Sequence, residues 1–138
     1  MQPMTGHCLC GAVRFEADDV ERDYHACHCG MCRRWTGGPF FAARARALRF
    51  ADEARVGRYA SSEWAERGFC TRCGAALFYL LRPTGEYFVS VGAFDGAAEF
   101  RLASELCIDR KPADYAFAGE RPRLSEAEVF ASPAGDAS

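Results

Sequence analysis

The chain has 138 residues, of which 49% are hydrophobic and 26% charged, and its formal net charge is −2. This length suits one domain with a hydrophobic core and is too short for two ordinary domains. The charge balance gives no overall positive field, so neither nucleic acid nor an anionic membrane surface is an expected partner. The sequence starts without a basic stretch and apolar run, and no apolar segment reaches the roughly 18 residues of a membrane span. We therefore expect a cytoplasmic protein without a membrane segment.

The pattern of polar and apolar residues predicts a mainly β protein with little helix. Val13 and Phe15 alternate with polar residues in the first predicted strand, over residues 11–17. Further strands are predicted over residues 39–43, 47–50, 55–60, 75–81, 87–91 and 101–109. One short helix is predicted near the C-terminus, where Ser125 and Glu128 have the spacing of a capping box. Residues 132–138 are small and polar and are predicted to form a flexible tail, which leaves residues 1–131 as a single domain.

Eight cysteines are the most informative feature of the composition. Seven of them form one C-x-C, one C-x-C-x-x-C and one C-x-x-C pattern, and Cys107 stands alone. Such close spacings are typical of metal ligands, whereas disulfide frameworks usually join distant cysteines of secreted domains. The pattern therefore favours zinc, with a redox dithiol or a disulfide scaffold as the alternatives.

Four of the clustered cysteines can complete one closed zinc site. In an extended segment Cys8 and Cys10 point the same way, so both sulfur atoms can reach one metal ion. Cys70 and Cys73 lie in a knuckle-like turn, in which Gly74 permits a tight backbone, and supply two more thiolates. We expect this four-cysteine site to be structural, because it leaves no coordination position for a substrate.

The remaining three cysteines, Cys27, Cys29 and Cys32, leave one position of a second zinc ion to another ligand. An open position would make this site catalytic. The alternative is that His25, two residues before Cys27, completes a closed site. His28 alternates away from its cysteine neighbours, which predicts a packing or supporting role.

The thiolate-rich second site predicts a particular kind of chemistry. Three thiolates bring the charge of the centre to about −1, so the metal is a weaker Lewis acid than one held by three neutral imidazoles. Such a centre suits the binding of a sulfur atom or the polarisation of a small carbonyl group. Arg33 and Arg34 are candidate ligands for a substrate carboxylate, with a solvated or structural arginine pair as the alternative. Gly37 begins a sharp turn that fits the close approach of a substrate and fits a plain chain reversal equally well. Cys107, in an apolar run, is expected to be an ordinary buried thiol, with a place in the site as the alternative.

Three motifs together resemble one known family. GHCLCGAVRF (6–15), CHCGMCRRWTG (27–37) and FCTRCGAALF (69–78) are similar to the glutathione-dependent formaldehyde-activating enzyme and centromere protein V-like family. The resemblance extends over residues 5–118 and includes VSVGAFD (89–95) and the later Lys-Pro pair (111–112). It implies an Mss-four-like fold of small antiparallel sheets and two zinc ions per chain. The implied structural ligands are Cys8, Cys10, Cys70 and Cys73, and the implied catalytic ligands are Cys27, Cys29 and Cys32.

The resemblance also implies an activity, a carbon–sulfur lyase that joins formaldehyde and glutathione as S-hydroxymethylglutathione. The expected partners are thus a small electrophile and glutathione or another thiol, and no oligomeric state is predicted. Glu105 stands where many members have a histidine, and Tyr115 replaces a common tryptophan, so the choice of thiol is the least determined feature. Two other readings stay open: an interaction module with both zinc sites closed, and a sensor whose thiolates react with oxidants.

Overall fold

A computed structural model describes residues 3–131 of the chain. These residues form ten strands: β1 (Met4–His7), β2 (Arg14–Asp18), β3 (Asp23–Cys27), β4 (Phe40–Ala45), β5 (Ala47–Phe50), β6 (Val56–Ala60), β7 (Ala65–Cys70), β8 (Ala76–Leu81), β9 (Glu86–Ser90) and β10 (Arg101–Leu106). Two short α-helices, α1 (Gly30–Thr36) and α2 (Glu126–Phe130), complete the regular structure together with four 3-10 turns. The fold is mainly β, as the sequence pattern predicts.

The strands form two sheets. The smaller has the order β1-β2-β5, and the larger has the order β10-β3-β4-β9-β8-β7-β6. Every pairing is antiparallel except that of β10 with β3, which is parallel. The parallel pair brings the chain beyond β10 to the end of β3, where the C-x-C-x-x-C motif starts.

Two hydrophobic cores form between these elements, and each contains one set of cysteines. The first core is centred on Val13, Phe15 and Phe78 and includes Cys8 and Cys70. The second core includes Cys27, Cys29 and Cys32, together with aromatic side chains of β4, β8 and β9. The alternation of buried and exposed residues in β2 follows from the two-residue period of a strand with one face on the core.

Helix α1 begins at Gly30, within the C-x-C-x-x-C motif, where the sequence pattern predicted no helix. The Sγ of Cys29 accepts a hydrogen bond from the N–H of Cys32 at 3.3 Å and so caps the first turn. Gly37 ends the helix in the left-handed region, with φ of 86°. A cysteine cap is not among the usual start signals, Ser, Thr, Asp and Asn, which explains why the helix is difficult to recognise.

Strands β1, β3 and β7 are also additional to the predicted ones, and β10 is shorter than predicted. The strand predicted over 101–109 ends at Leu106, because Cys107 adopts a left-handed conformation with φ of 56°. Cys8 and Cys10 lie in the turn after β1 rather than in an extended segment. Their sulfur atoms nevertheless meet, because the turn closes with a hydrogen bond from Gly11 N–H to the Cys8 carbonyl.

The C-terminal helix α2 confirms the predicted capping box. Ser125 accepts from the Glu128 N–H at 3.2 Å, and the Glu128 side chain accepts from the Ser125 N–H at 2.9 Å. Val129 is buried in the second core. The predicted tail, 132–138, lies outside the described residues. Between residues 3 and 131, no helix has the length and apolar character needed to cross a membrane.

Candidate metal centres

The first cluster consists of Cys8, Cys10, Cys70 and Cys73, whose sulfur atoms all lie within 4.8 Å of one another. The Sγ of Cys10 is 3.6 Å from that of Cys8 and 3.8 Å from that of Cys70. A tetrahedral zinc ion with Zn–S bonds of about 2.3 Å places its sulfur atoms about 3.8 Å apart. The spacing of the thiols therefore fits a zinc ion with four cysteine ligands.

Backbone N–H groups support the sulfur atoms of the first cluster. The Sγ of Cys70 accepts hydrogen bonds from the N–H groups of Arg72 and Cys73, at 3.3 and 3.4 Å. The Sγ of Cys8 accepts from the Val13 N–H at 3.3 Å. A hydrogen bond with the backbone of Ala75 lowers the pKa of Cys73 to about 6, so this thiol is deprotonated at neutral pH. A backbone hydrogen bond with Ala12 lowers the pKa of Cys10, but burial and contacts with the other three thiols raise it to about 11. The two turns thus favour the thiolate, which is the form that binds metal, at Cys8 and Cys73 but not at Cys10.

The second cluster consists of Cys27, Cys29 and Cys32, whose sulfur atoms also lie within 4.8 Å of one another. Cys27 ends β3, Cys29 caps α1, and Cys32 lies in the first turn of α1. All three are buried. Hydrogen bonds with Cys27 and Cys29, together with burial, raise the pKa of Cys32 well above its usual value, so loss of its proton requires a nearby cation. The three-thiol set fits a zinc ion with three cysteine ligands.

His25 does not belong to the group of ligand atoms that meet in the second cluster. Its ring packs against Phe88, with the ring centroids 5.6 Å apart. Burial lowers the pKa of His25 to about 4, so the ring is neutral at physiological pH. The geometry therefore does not support the alternative in which His25 completes a closed site.

A cleft of about 430 Å³ adjoins the second cluster, and Cys29 and Cys107 form part of its wall. Arg33, Arg110 and Glu126 supply its charged groups. Three exposed apolar side chains complete the lining, namely Met31, Trp64 and Phe130. The volume and the mixture of apolar wall and few polar groups are typical of a site for a small molecule.

The charged groups of the cleft are not equivalent. Arg110 is already paired with Glu126, with 2.8 Å between Nε and the carboxylate. The Nε of Arg33 donates a hydrogen bond to the His28 carbonyl at 3.1 Å. The two terminal nitrogens of its guanidinium form no ion pair with any of residues 3–131. Arg33 is thus the cation of this wall that can bind a carboxylate of another molecule.

The other two predicted substrate-binding residues lie elsewhere on α1. Arg34 is exposed and does not line the cleft, and Gly37 is the left-handed residue that ends the helix. A contact between either residue and a substrate stays a prediction.

Cys107 has a more specific position than an ordinary buried thiol. It lines the cleft and is 2% exposed. Its side chain forms a hydrogen bond with Cys27, and this contact raises the pKa of Cys27. The parallel pairing of β10 with β3 brings Leu106 opposite Cys27 and so places a fourth sulfur beside the second cluster. Only this long-range pairing reveals the contact, since 80 positions separate the two residues in the sequence.

His28 has the supporting role that its alternation predicts. The ring is completely buried, and Nε2 forms a 2.9 Å hydrogen bond with Glu105 Oε1. The other carboxylate oxygen of Glu105 accepts from Arg121 and Arg123, each at 2.9 Å. Burial alone raises the pKa of Glu105, but these three partners lower it below its usual value. Glu105 therefore holds the segment between Cys27 and Cys29 from behind and does not line the cleft.

Arg67 is a residue of this site that the sequence analysis missed. It is buried on β7, and its Nη1 lies 3.6 Å from the Sγ of Cys32. The side chain reaches the second cluster from a strand that ends in Cys70, a member of the first cluster. The only sequence signal was an arginine at an inward-facing position of a strand, three residues before Cys70.

The fold and the two clusters define a class of protein, a small mainly β domain with two groups of cysteines that can bind metal. Comparison with known proteins then identifies its family. Residues 3–109 match the family model described as glutathione-dependent formaldehyde-activating enzyme. The chain belongs to this family.

Individual relatives agree with the family assignment. An uncharacterised lyase of Schizosaccharomyces pombe is 34% identical over 134 residues, which cover 96% of this chain and 98% of that protein. A protein of Halomonas elongata, named as a candidate glutathione-dependent formaldehyde-activating enzyme, is 31% identical over 87 residues, or 54% of each chain. A crystal structure of a Rhodobacter sphaeroides protein superposes with a TM-score of 0.59 at 32% identity and covers 67% of this chain and 89% of that one.

Proposed function

We propose that this protein is a zinc-dependent carbon–sulfur lyase that works in the synthetic direction on a small aldehyde and a thiol such as glutathione. The observation that carries the proposal is the second cluster, in which three buried thiols meet beside an open cleft. The family of the chain and the lyase name of the Schizosaccharomyces relative support the same reaction class. Formaldehyde is the aldehyde that the family description names.

The two clusters take different roles in this proposal. The first cluster holds a structural zinc ion, which joins the turn after β1 to the end of β7. Its four ligands are Cys8, Cys10, Cys70 and Cys73. Cys27, Cys29 and Cys32 hold the catalytic zinc ion, which gives two zinc ions per chain. Zinc in the second cluster would favour the thiolate form of a bound thiol and polarise an aldehyde oxygen.

The reaction is an addition that needs no oxidant or reductant. The thiol sulfur forms a bond with the carbonyl carbon, the carbonyl π bond breaks, and the thiol proton moves to the carbonyl oxygen. The product is a hemithioacetal, which for formaldehyde is an S-hydroxymethyl adduct. The reverse reaction breaks the carbon–sulfur bond and is the lyase reaction. The protein contributes by binding both reactants in one small cleft, which replaces an encounter in solution with an oriented pair.

The cleft residues indicate how a thiol with a carboxylate would bind. The free end of the Arg33 guanidinium provides a cation on the same helix as Cys32. The apolar side chains of Met31, Trp64 and Phe130 cover the remaining wall. Glutathione has two carboxylates and a peptide chain, so it suits a cleft with one unpaired cation and an extended apolar wall.

Cobalt substitution tests the proposal because the d–d and charge-transfer bands of cobalt report ligand exchange. The protein is loaded with two cobalt ions, and glutathione, then formaldehyde, is added. We expect the bands of the second cluster to change and those of the first cluster to stay constant. Unchanged bands with both additions would refute an accessible metal in the second cluster.

The Cys107→Ser variant is the matched control for this experiment. Cys107 contacts Cys27 and is the residue best placed to occupy the fourth position from within the chain. If Cys107 is not a ligand, the resting cobalt spectrum of Cys107→Ser equals that of the wild type. A change in the resting spectrum, with no response to glutathione in the wild type, would instead indicate a closed site and an interaction module.

A further inference from the structure

Arg67 is the only buried arginine or lysine in the described part of the chain. Its guanidinium carbon lies 5.0 Å from the ring centroid of Trp35 and 5.2 Å from that of Tyr79. One nitrogen, Nη1, is 3.6 Å from the Sγ of Cys32. The side chain thus lies between two aromatic rings, with one end against a thiol of the second cluster.

The charge of Arg67 has no carboxylate partner among residues 3–131. Its Nε and Nη2 atoms are buried and have no hydrogen-bond partner there. A buried cation is strongly unfavourable unless an anion lies close to it, and aromatic faces offset only part of that cost. In contrast, the buried carboxylate of Glu105 has two arginine partners. Arg67 therefore requires a nearby anion. Among residues 3–131, its contacts supply one only if thiols of the second cluster lose their protons.

The second cluster becomes such an anion when it binds metal. Three thiolates and one divalent ion carry a net charge of about −1. A guanidinium at 3.6 Å balances this charge and donates a hydrogen bond to one of the three sulfur atoms. The balance matters more when a substrate thiolate adds a further negative charge to the cluster.

We infer that Arg67 is the counter-charge of the second cluster, a positioning residue that acts through Cys32 to strengthen metal binding and to favour entry of a thiolate. This inference rests on the proposed function, because it requires a metal ion in the second cluster. It adds a role for β7, which then contributes Cys70 to the first cluster and Arg67 to the second.

The test compares two substitutions at Arg67 with one at a neighbouring arginine. Arg67→Met keeps a long side chain between the rings but removes the charge and the hydrogen bond. Arg67→Lys keeps the charge. Arg58→Met, on the adjacent strand β6, is the control, because the Arg58 guanidinium also lies over an aromatic ring, 5.2 Å from the centroid of Phe78, but does not contact the second cluster.

Zinc affinity is measured for each cluster by competition with a chromophoric chelator. Loss of a residue that supports a metal ligand typically weakens affinity about 10- to 100-fold, and we expect this loss for the second cluster of Arg67→Met. Arg67→Lys should recover most of the affinity, and Arg58→Met should match the wild type. In cobalt-loaded Arg67→Met, the sulfur-to-cobalt charge-transfer band of the second cluster should move to lower energy, because the sulfur loses a hydrogen bond.

The outcomes separate the inference from the proposed function. A wild-type protein that loads only the first cluster refutes the proposed function, and the inference with it. If both clusters load, unchanged affinity and an unchanged band in Arg67→Met overturn the inference alone. Equal weakening in Arg67→Met and Arg67→Lys also overturns it, since that result indicates packing rather than charge.

A measurement on the wild type covers the case in which Arg67→Met does not fold. The guanidinium proton resonances of Arg67 are followed by NMR while cadmium is added to protein whose first cluster is already loaded. We expect these resonances to shift as the second cluster fills. Resonances that do not shift would overturn the inference.

Discussion

Replacement of Glu105 by glutamine tests the support that lies behind the second cluster. Glu105 is 1% exposed, and its carboxylate holds His28 on one oxygen and Arg121 and Arg123 on the other. Glutamine has nearly the same size and can still accept from the arginines and donate to His28. The change therefore removes the negative charge and leaves the number of hydrogen bonds the same.

The expected loss of stability follows from the burial of the partners. Removal of one partner from a fully buried ion pair costs about 3–5 kcal/mol. The side chains of Arg121 and Arg123 are 12% and 30% exposed to solvent, so hydration of the two guanidinium groups reduces that cost. We expect a loss of about 2–3 kcal/mol in the free energy of unfolding. For a domain of this size the loss corresponds to a decrease in Tm of about 6–12 °C.

Thermal unfolding at a fixed concentration of free zinc measures this effect. The control is Asp23→Asn, since the carboxylate of Asp23 also accepts two hydrogen bonds from an arginine, Arg101, but on the exposed surface. Such exposed pairs contribute little to stability, so this variant should leave Tm nearly unchanged. Equal Tm changes in the two variants would refute the reasoning.

The pH dependence provides an independent check on the charge of Glu105. The folded structure lowers the pKa of Glu105 below its ordinary value of 4.5. Its stabilising contribution is therefore complete above pH 4.5 and is lost as the pH falls through the lower pKa of the folded state. The difference in Tm between the wild type and Glu105→Gln should decrease over this acidic range. A difference that stays constant would show that the charge is not its cause.

Three further predictions concern the metal clusters and the sheet. If the first cluster holds the structural zinc ion, as proposed, Cys70→Ser should prevent stable folding, whereas Cys29→Ser should fold, retain one zinc ion and lose activity. Metal analysis and circular dichroism measure both effects, and equal behaviour of the two variants would contradict the two proposed roles. Acidification should release zinc from the second cluster at a higher pH than from the first, and a zinc-sensitive dye follows the release. Hydrogen bonds with neighbouring thiols and burial raise the pKa of both Cys27 and Cys32, whereas in the first cluster the pKa is raised at Cys10 but lowered at Cys8 and Cys73. Gly68→Ala should lower the free energy of unfolding by about 1–3 kcal/mol, because the added Cβ would lie 2.0 Å from the Phe78 ring. The control is Gly38→Ala, where the added Cβ meets open space. This control should unfold at the same denaturant concentration as the wild type.

The local pattern of the sequence predicts the class of the fold and the grouping of the thiols. Alternating residues such as Val13 and Phe15 predict strands because one face of a strand packs on the core while the other contacts water. The spacing of the cysteines predicts two groups, since ligands of one metal ion often lie two or three positions apart on a short turn. Both signals act over a few residues, and so they can be recognised without knowledge of the tertiary structure.

Pairing between distant segments decided the surroundings of the second cluster. The parallel pairing of β10 with β3 brings Cys107 to Cys27 and Glu105 to the strand that precedes His28. Likewise, the position of β7 in the larger sheet brings Arg67 to Cys32. Each of these contacts joins residues more than 30 positions apart, and its formation depends on the order of strands in the sheet rather than on any local preference. The sequence by itself thus determined which thiols form each cluster, whereas the tertiary structure decided which charges and which cleft surround them.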